Sequence, residues 1–402
     1  MRLGILATHP IQNHAPIFRE LARQCDLTVY FAHRQTPEGQ AQAGFGVPFE
    51  WDVDLLSGYD SAFLENRSRH PATNRFFGCD TPEIDDAIGR GRFDAFMVTG
   101  WGVKCYWQAI WACRRRRIPT LIRGDSQLPT QRSLSWRLLK EGIYPLLLRS
   151  FDGFMYVGRR NRDYLRHYHV REDRLFFSPH CIDNDRFASN AEPDHGGRRQ
   201  GDGDPKDTKS VLFVGKLAEG KRPFDIIRAL ALPGMQERRT QAVFVGAGEV
   251  EDGLRREAAH SGVPAVFHGF QNQSAMPSLY ASADLLVLPS DQETWGLVVN
   301  EAMACGVPAV VSEAVGCGPD LIEPGRTGAV FPVGDIAALA EAIRSTLALE
   351  RSSVRRHLNE KMAIYSPAGA ARGIIEGAGA LSGRQATGQG HGVQGDGGRI
   401  ER

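Results

Sequence analysis

The chain has 402 residues, 42% of them apolar and 24% charged, the proportions of a globular protein long enough for two domains. A wholly disordered, collagenous or disulfide-stapled chain is thereby excluded. The formal net charge of +1, from 48 Lys and Arg against 47 Asp and Glu, argues against a dedicated nucleic-acid binder, whose domains carry a strong basic excess.

Short apolar runs bounded by turns alternate with amphipathic stretches, the pattern of βαβ units on a parallel sheet. The first block opens with a strand at residues 3–7, a helix at 15–24 with Pro16 in its first turn, and a strand at 27–32. Further strands are predicted at 95–99, 120–122 and 153–157. Residues 190–210 contain no large apolar side chain, so they read as a linker or disordered insertion. A second block then places strands at 210–215, 242–246, 266–270, 284–289 and 309–312, each followed by a helical run. The division is an N-terminal domain over 1–189, a linker over 190–209 and a C-terminal domain over 210–364. A helical segment over 365–382 and a Gly- and Gln-rich tail over 383–402, read as disordered, complete it. Two such domains open a cleft between the carboxyl ends of their strands, where sheets of this kind bind ligands.

Charge is uneven along this frame. Residues 101–170 hold fourteen Lys and Arg against four acids, a surplus of +10 that leaves −9 for the rest. The run Arg114 to Arg117 reads as a solvated helix end. Residues 133–151 combine Trp136, Leu138, Leu139 and Leu146 to Leu148 with Arg137, Lys140 and Arg149. They read either as a helix packed on the first sheet with a basic outer face or as a peripheral contact with an anionic membrane. The seven cysteines are scattered, with no C-x-x-C pair, so neither a disulfide framework nor a zinc site is expected. The first ten residues lack the pattern of a signal peptide, and no apolar stretch reaches the ~18 residues of a membrane span. The expected location is cytoplasmic, in solution or at the inner face of the membrane.

The most specific motif is Glu293-Thr-Trp-Gly-Leu-Val-Val-Asn-Glu301, which spans the loop after a strand and a helix beginning near Gly296. Amides at Gly296, Leu297 and Val298 at that helix start would favour an anion. The segment Gly215-Lys-Leu-Ala-Glu-Gly-Lys221 puts Lys216 and Lys221 on another strand-to-helix loop at the same sheet edge, where two ammonium groups neutralise phosphates. Taken singly, Glu293 is an acid near a helix start, Glu301 a solvated helical residue and each lysine a surface charge. Together they form a coherent site for a nucleotide diphosphate.

With Gly246-Ala-Gly248, His268-Gly-Phe270, Tyr280-Ala-Ser-Ala-Asp284, Leu288-Pro-Ser290 and Ala302-Met-Ala-Cys-Gly-Val-Pro308, these stretches resemble the retaining glycosyltransferases of family 4 (glycosyl transferases group 1). They span the C-terminal domain nearly end to end. The resemblance implies an α/β chain of GT-B architecture, two Rossmann-like doubly wound domains facing a central cleft. It implies that Lys216 and Lys221 hold the donor diphosphate, Lys216 where the family more often has Arg. Glu293 would contact the transferred sugar, amides at Trp295, Gly296 and Leu297 the distal phosphate, Glu301 the ribose, and Gly269 and Phe270 the base. It further implies transfer of a sugar from a nucleotide-sugar, with retention, to a glycan, lipid-linked or small-molecule acceptor, without metal or other cofactor, and no nucleic acid partner.

The N-terminal domain departs from the family pattern. It lacks the Gly-rich loop of many members, and Gln12 and Asn13 after the first strand stand in its place. Where many relatives carry a His beside the sugar, this chain reads Arg123-Gly-Asp-Ser126. Asp125 or Arg123 takes that role, or Asp125 caps a helix and Arg123 lies at the surface. A nucleotide-sugar epimerase on the same fold and a non-catalytic nucleotide-sugar binder are the alternatives to a transferase.

Overall fold

The computed structural model describes residues 1–40, 47–128, 134–189, 208–236 and 239–383. The linker at 190–207 and the tail at 384–402 lie outside the described residues, as does Ser133, and of residues 134–139 only the backbone is described. The first lobe is a seven-stranded parallel sheet of β1 (Arg2–Ala7), β2 (Asp26–Phe31), β3 (Asp60–Phe63), β4 (Ala95–Val98), β5 (Thr120–Gly124), β6 (Gly153–Tyr156) and β7 (Leu175–Phe177). Their spatial order is β3-β2-β1-β4-β5-β6-β7. The second lobe has β8 (Lys209–Val214), β9 (Thr240–Val245), β10 (Ala265–Phe267), β11 (Leu285–Leu288), β12 (Ala309–Ser312) and β13 (Gly328–Phe331) in the order β10-β9-β8-β11-β12-β13. Parallel strands covered on both faces need continuous apolar runs. Accordingly β4, β11 and β12 are buried at every position.

In both sheets the winding reverses beside the first strand, between β1 and β4 and between β8 and β11. Loops leaving adjacent strands in opposite directions leave a crevice at such a point. The residues that follow β8 and β11 therefore meet at one place, although some seventy positions separate them.

The helix Pro367–Ser382 returns to the first lobe, where Ala370, Ala371, Ile374 and Ala378 join the core formed by Leu3, Ile17 and Phe18. Small residues let it lie close. A Cβ on Gly373 would stand 1.8 Å from the Phe177 carbonyl oxygen.

The lobes interlock near the cleft floor. Trp295 of the second lobe is buried against His180 of the first, with ring centroids 5.3 Å apart. A Cβ on Gly158 would come within 2.3 Å of that indole. The helix Arg159–His167 has Gly158 at its N-cap and hence no side chain of its own there. Asp320 of the second lobe supplies it, both carboxylate oxygens accepting from the Arg159 N–H at 3.1 Å while the Tyr365 hydroxyl donates to Oδ1 at 2.8 Å. Burial pushes the Asp320 carboxyl up. Among the described residues no helix is long and apolar enough to cross a membrane.

Candidate active site

β11 pairs with β8 through Leu285 with Val211 and Leu286 with Leu212, and the Asp291 N–H donates to the Gly220 carbonyl at 3.0 Å. The two loops are thus fastened edge to edge. Across the join the Lys221 ammonium pairs with the Glu293 carboxylate, both partly buried. Lys216 stands exposed on the same loop. A third loop closes from the other side. Cβ atoms on Gly246 and Gly248 would stand 1.9 Å from the Gly215 carbonyl oxygen and 2.2 Å from that of Leu217. The Gly-Ala-Gly turn after β9 is the condition for this approach.

The main chain of Glu293 is held on two sides. Its carbonyl accepts from the Gly316 N–H at 2.9 Å and from Gln127 Nε2, a first-lobe side chain, at 3.1 Å. Trp295 Nε1 donates to Asn300 Oδ1 at 2.8 Å. Gly296 then sits at the N-cap of the helix Leu297–Ala304 with φ of +98°, and no side chain caps that helix. Its start is available to an anion by geometry and dipole.

Glu301, in the middle of this helix, is buried and not solvated. The Tyr280 hydroxyl donates to its Oε2 at 2.6 Å, and Gln273 bonds to it as well. Arg186 of the first lobe holds Gln273 through the main-chain carbonyl at 2.7 Å and Oε1 at 2.6 Å. Burial raises the Glu301 carboxyl from 4.5 to about 7. The folded protein therefore keeps a proton that the unfolded chain gives up first. The stability this confers is complete below about 4.5 and is lost as pH rises to about 7. Glu301→Gln is expected to raise Tm by about 5 °C at pH 8 and to leave it unchanged at pH 4.5, as read by scanning calorimetry at both values.

Gly269 adopts φ of +66°, and the Phe270 ring lies 4.9 Å from Phe49 of the first lobe. Asn272 Nδ2 donates to the Glu50 carbonyl at 2.6 Å and the Ser274 N–H to Asp52 Oδ1 at 3.1 Å. A first-lobe segment therefore closes over the loop after β10.

Gln12 lines a first-lobe cavity of about 330 Å³ with Arg19, Asp54, Ser57, Asp183 and Arg186. Asn13 beside it is buried. Arg123 is buried too, so it is not a surface residue. Its Nε donates to Ser178 Oγ at 3.1 Å and its Nη2 to the Pro179 carbonyl at 2.8 Å, which fixes the turn that carries His180. Asp125 Oδ2 lies 3.7 Å from His180 Nε2. Burial would raise the Asp125 carboxyl, yet His180 and Arg123 beside it hold it below the usual range. Burial lowers His180, so the imidazole is neutral at pH 7 beside an ionised Asp125. His180 Nδ1 is buried without a hydrogen-bond partner among the described residues.

His180 is the site residue that the sequence reading missed. Its link to Asp125 runs through β7 and through an Arg123 contact 55 positions away in the chain. The Ser178-Pro-His-Cys181 segment at the end of the first block was the signal available. The structure thus gathers Asp125, Gln127 and His180 from the first lobe around Lys221, Glu293 and Trp295 from the second. Glu301 sits one helical turn deeper, and Lys216 at the rim.

Residues 198–364 match the family described as Glycosyl transferases group 1. The match spans the second lobe, from before β8 to the end of the helix Arg351–Ile364. Curated relatives match over part of the chain. The chain is 35% identical over 140 residues to the sulfoquinovosyl transferase SQD2 of Arabidopsis thaliana, covering 34% of this chain and 26% of that protein. It is 35% identical over 171 residues to the D-inositol 3-phosphate glycosyltransferase of Mycolicibacterium smegmatis, covering 40% and 38%. The chain thus spans less than two fifths of the length of these relatives. Among solved structures it is similar to Anabaena Alr3699/HepE in complex with UDP, with a TM-score of 0.68, 16% identity and coverage of 94% and 99%. At that identity the likeness concerns the fold, and the architecture is GT-B.

Proposed function

We propose that the protein transfers a sugar from a nucleotide-sugar to a hydroxyl of a glycan, lipid-linked or small-molecule acceptor, with retention of anomeric configuration. The observation that carries this reading is the meeting of Lys221, Glu293 and an uncapped helix start at the β8/β11 switch point. A diphosphate there lies against Lys216, Lys221 and the amides from Gly296 onward, so that lysines rather than a metal ion carry its charge. The arriving phosphates draw Lys221 away from Glu293. That exchange frees the Glu293 carboxylate to accept from hydroxyls of the sugar. Glu301 binds the ribose diol, and the loop of Gly269 and Phe270 lies by the base.

As the bond from the anomeric carbon to the diphosphate breaks, the departing oxygen gains charge beside the lysines and takes the proton of the acceptor hydroxyl on the same face. Asp125 and His180 face this point from the first lobe and orient the sugar. Positioning and fixed electrostatics supply the acceleration, and lobe closure excludes water. We place the reaction in the cytoplasm, in keeping with seven free cysteine thiols.

UDP-sugars are the first donors to try, because HepE, a relative in fold, holds UDP. Donors are ranked by the rise in Tm that each causes, and products are followed by NMR with an acceptor panel. The expected product has the same anomeric configuration as the donor. An inverted product, or stabilisation by no nucleotide-sugar, would overturn the proposal.

A further inference from the structure

Nine large apolar side chains are exposed among the described residues, and five of them lie on one face of the first lobe. This face is built by the helices Lys104–Arg116 and Leu134–Leu148 and by the turn Phe76–Gly78. Phe76 and Phe77, the latter 71% exposed, sit on the turn. It is tied to the first helix by the Lys104–Asp80 ion pair at 2.7 Å and by the Cys105 N–H donating to the Cys79 carbonyl. Trp111, 65% exposed, stands on the outer side of that helix. On the second helix, Tyr144 and Leu148 turn inward, Tyr144 to the Trp101 ring and Leu148 into the core. Ile143 and Leu146, three residues apart, point out. Leu148 is thus removed from the apolar surface suggested by residues 133–151, and Trp111 is added to it.

The two helices are joined where Arg114 Nη2 donates to the Arg149 carbonyl at 3.0 Å. Trp111 and Leu146 each lie one turn before that contact. Arg114, Arg115, Arg117 and Arg149 are exposed around them. The nearby acids are engaged, Asp85 by Arg115 and Arg116 and Glu141 by His167. Single exposed apolar residues are ordinary, whereas a cluster with a basic surround marks an interaction surface.

We propose that this face docks on an anionic lipid bilayer, its Trp, Phe, Leu and Ile side chains entering the headgroup boundary and its arginines meeting lipid phosphates. Charge selects the occupant. The exposed arginines around the apolar cluster, Arg114, Arg115, Arg117 and Arg149, mean that a second copy docked through the same face would set like charge against like. The Phe76–Gly78 turn packs at the start of the helix Lys104–Arg116, near the carboxyl end of β4, whereas Trp111, Arg114 and Arg149 stand at the far ends of the two helices. The docking proposal does not rest on the transferase reading.

The test is flotation of the full chain with phosphatidylcholine vesicles, with and without phosphatidylglycerol, at low and high salt. The protein is expected to float with the anionic vesicles, at least about tenfold better than with neutral ones, and less at high salt. Trp111→Glu combined with Leu146→Glu is expected to lower binding at least about tenfold while Tm and nucleotide binding stay unchanged. Arg114→Ser with Arg149→Ser is expected to remove the preference for anionic lipid. No flotation of the wild-type chain at low salt would overturn the proposal, as would undiminished binding of the Trp111→Glu, Leu146→Glu variant. A concentration-dependent dimer that this variant dissociates, in place of vesicle binding, would assign the face to a second copy instead. The vesicles contain neither donor nor acceptor, so failure here and failure of sugar transfer are read separately.

Discussion

Replacing Glu293 by Ala is expected to lower the rate of transfer by roughly a hundred- to a thousandfold, the order lost when a group that positions the reacting sugar is removed. The carboxylate has two tasks in the proposed cycle. Before the donor arrives it keeps Lys221 in place through their ion pair, and afterwards it positions the sugar. Glu293→Gln retains the shape and one hydrogen-bond acceptor but not the charge. It should therefore keep donor binding within a few-fold while losing roughly a hundredfold in kcat. The defect should not be a folding defect. Both members of the pair are about a quarter exposed, 32% for Lys221 and 21% for Glu293, so deleting it costs no more than about 1 kcal/mol. Single-turnover rates with a melting curve for each variant separate the two effects. Turnover like the wild type in Glu293→Ala would remove this residue from the site.

The lysine variants have an effect of similar size. Lys221→Ala is expected to lower kcat/KM by about a hundred- to a thousandfold, because it withdraws a cation from the leaving group and leaves the Glu293 carboxylate beside the incoming phosphates. Lys216→Ala should do the same from the exposed rim, with a loss that shrinks more as salt is raised, since its charge is the more accessible to screening. Lys216→Arg is expected to keep most of the activity, the guanidinium reaching the same phosphate with a bidentate fork. Steady-state kinetics with donor varied at saturating acceptor measure all three. Unchanged kcat/KM in both alanine variants would refute the diphosphate assignment.

The elements legible in the sequence are the central ones. Strands at β1, β2, β4 to β6 and β8 to β12 stand out because a strand covered on both faces must be a short continuous apolar run. β3, β7 and β13 escaped notice; each lies at a sheet edge, where that demand is relaxed, and the fourth edge strand, β10, was readable only from its short Val266-Phe267 run. β3 reads Asp-Ser-Ala-Phe and is exposed at three of its four positions. The same logic divides the site. Lys216, Lys221 and Glu293 were readable as a group because strand order brings their loops together whatever the side chains around them do.

Arg123 and His180 were not readable in this way. Whether Arg123 faces solvent or turns inward depends on carbonyls at 178 and 179, and hence on a tertiary contact that no local pattern encodes. The burial of Glu301 has the same origin. Its partners Gln273 and Tyr280 come from the segment around the helix Met276–Ala281, and Arg186, which holds Gln273, comes from the first lobe. Local spacing showed that Glu301 shares a helix with the anion-facing amides, but not which way it points.

The central claim is that the mouth of the second sheet grips two phosphates in a row. It is tested most directly by calorimetric titration of the wild-type chain and of the Lys216→Ala, Lys221→Ala double variant with nucleoside mono- and diphosphates. The account predicts that the second phosphate tightens binding to the wild type by about a hundredfold, about 2.7 kcal/mol, and that the double variant no longer distinguishes the two ligands. Equal affinity of the wild type for mono- and diphosphate, or an undiminished preference in the double variant, would contradict it.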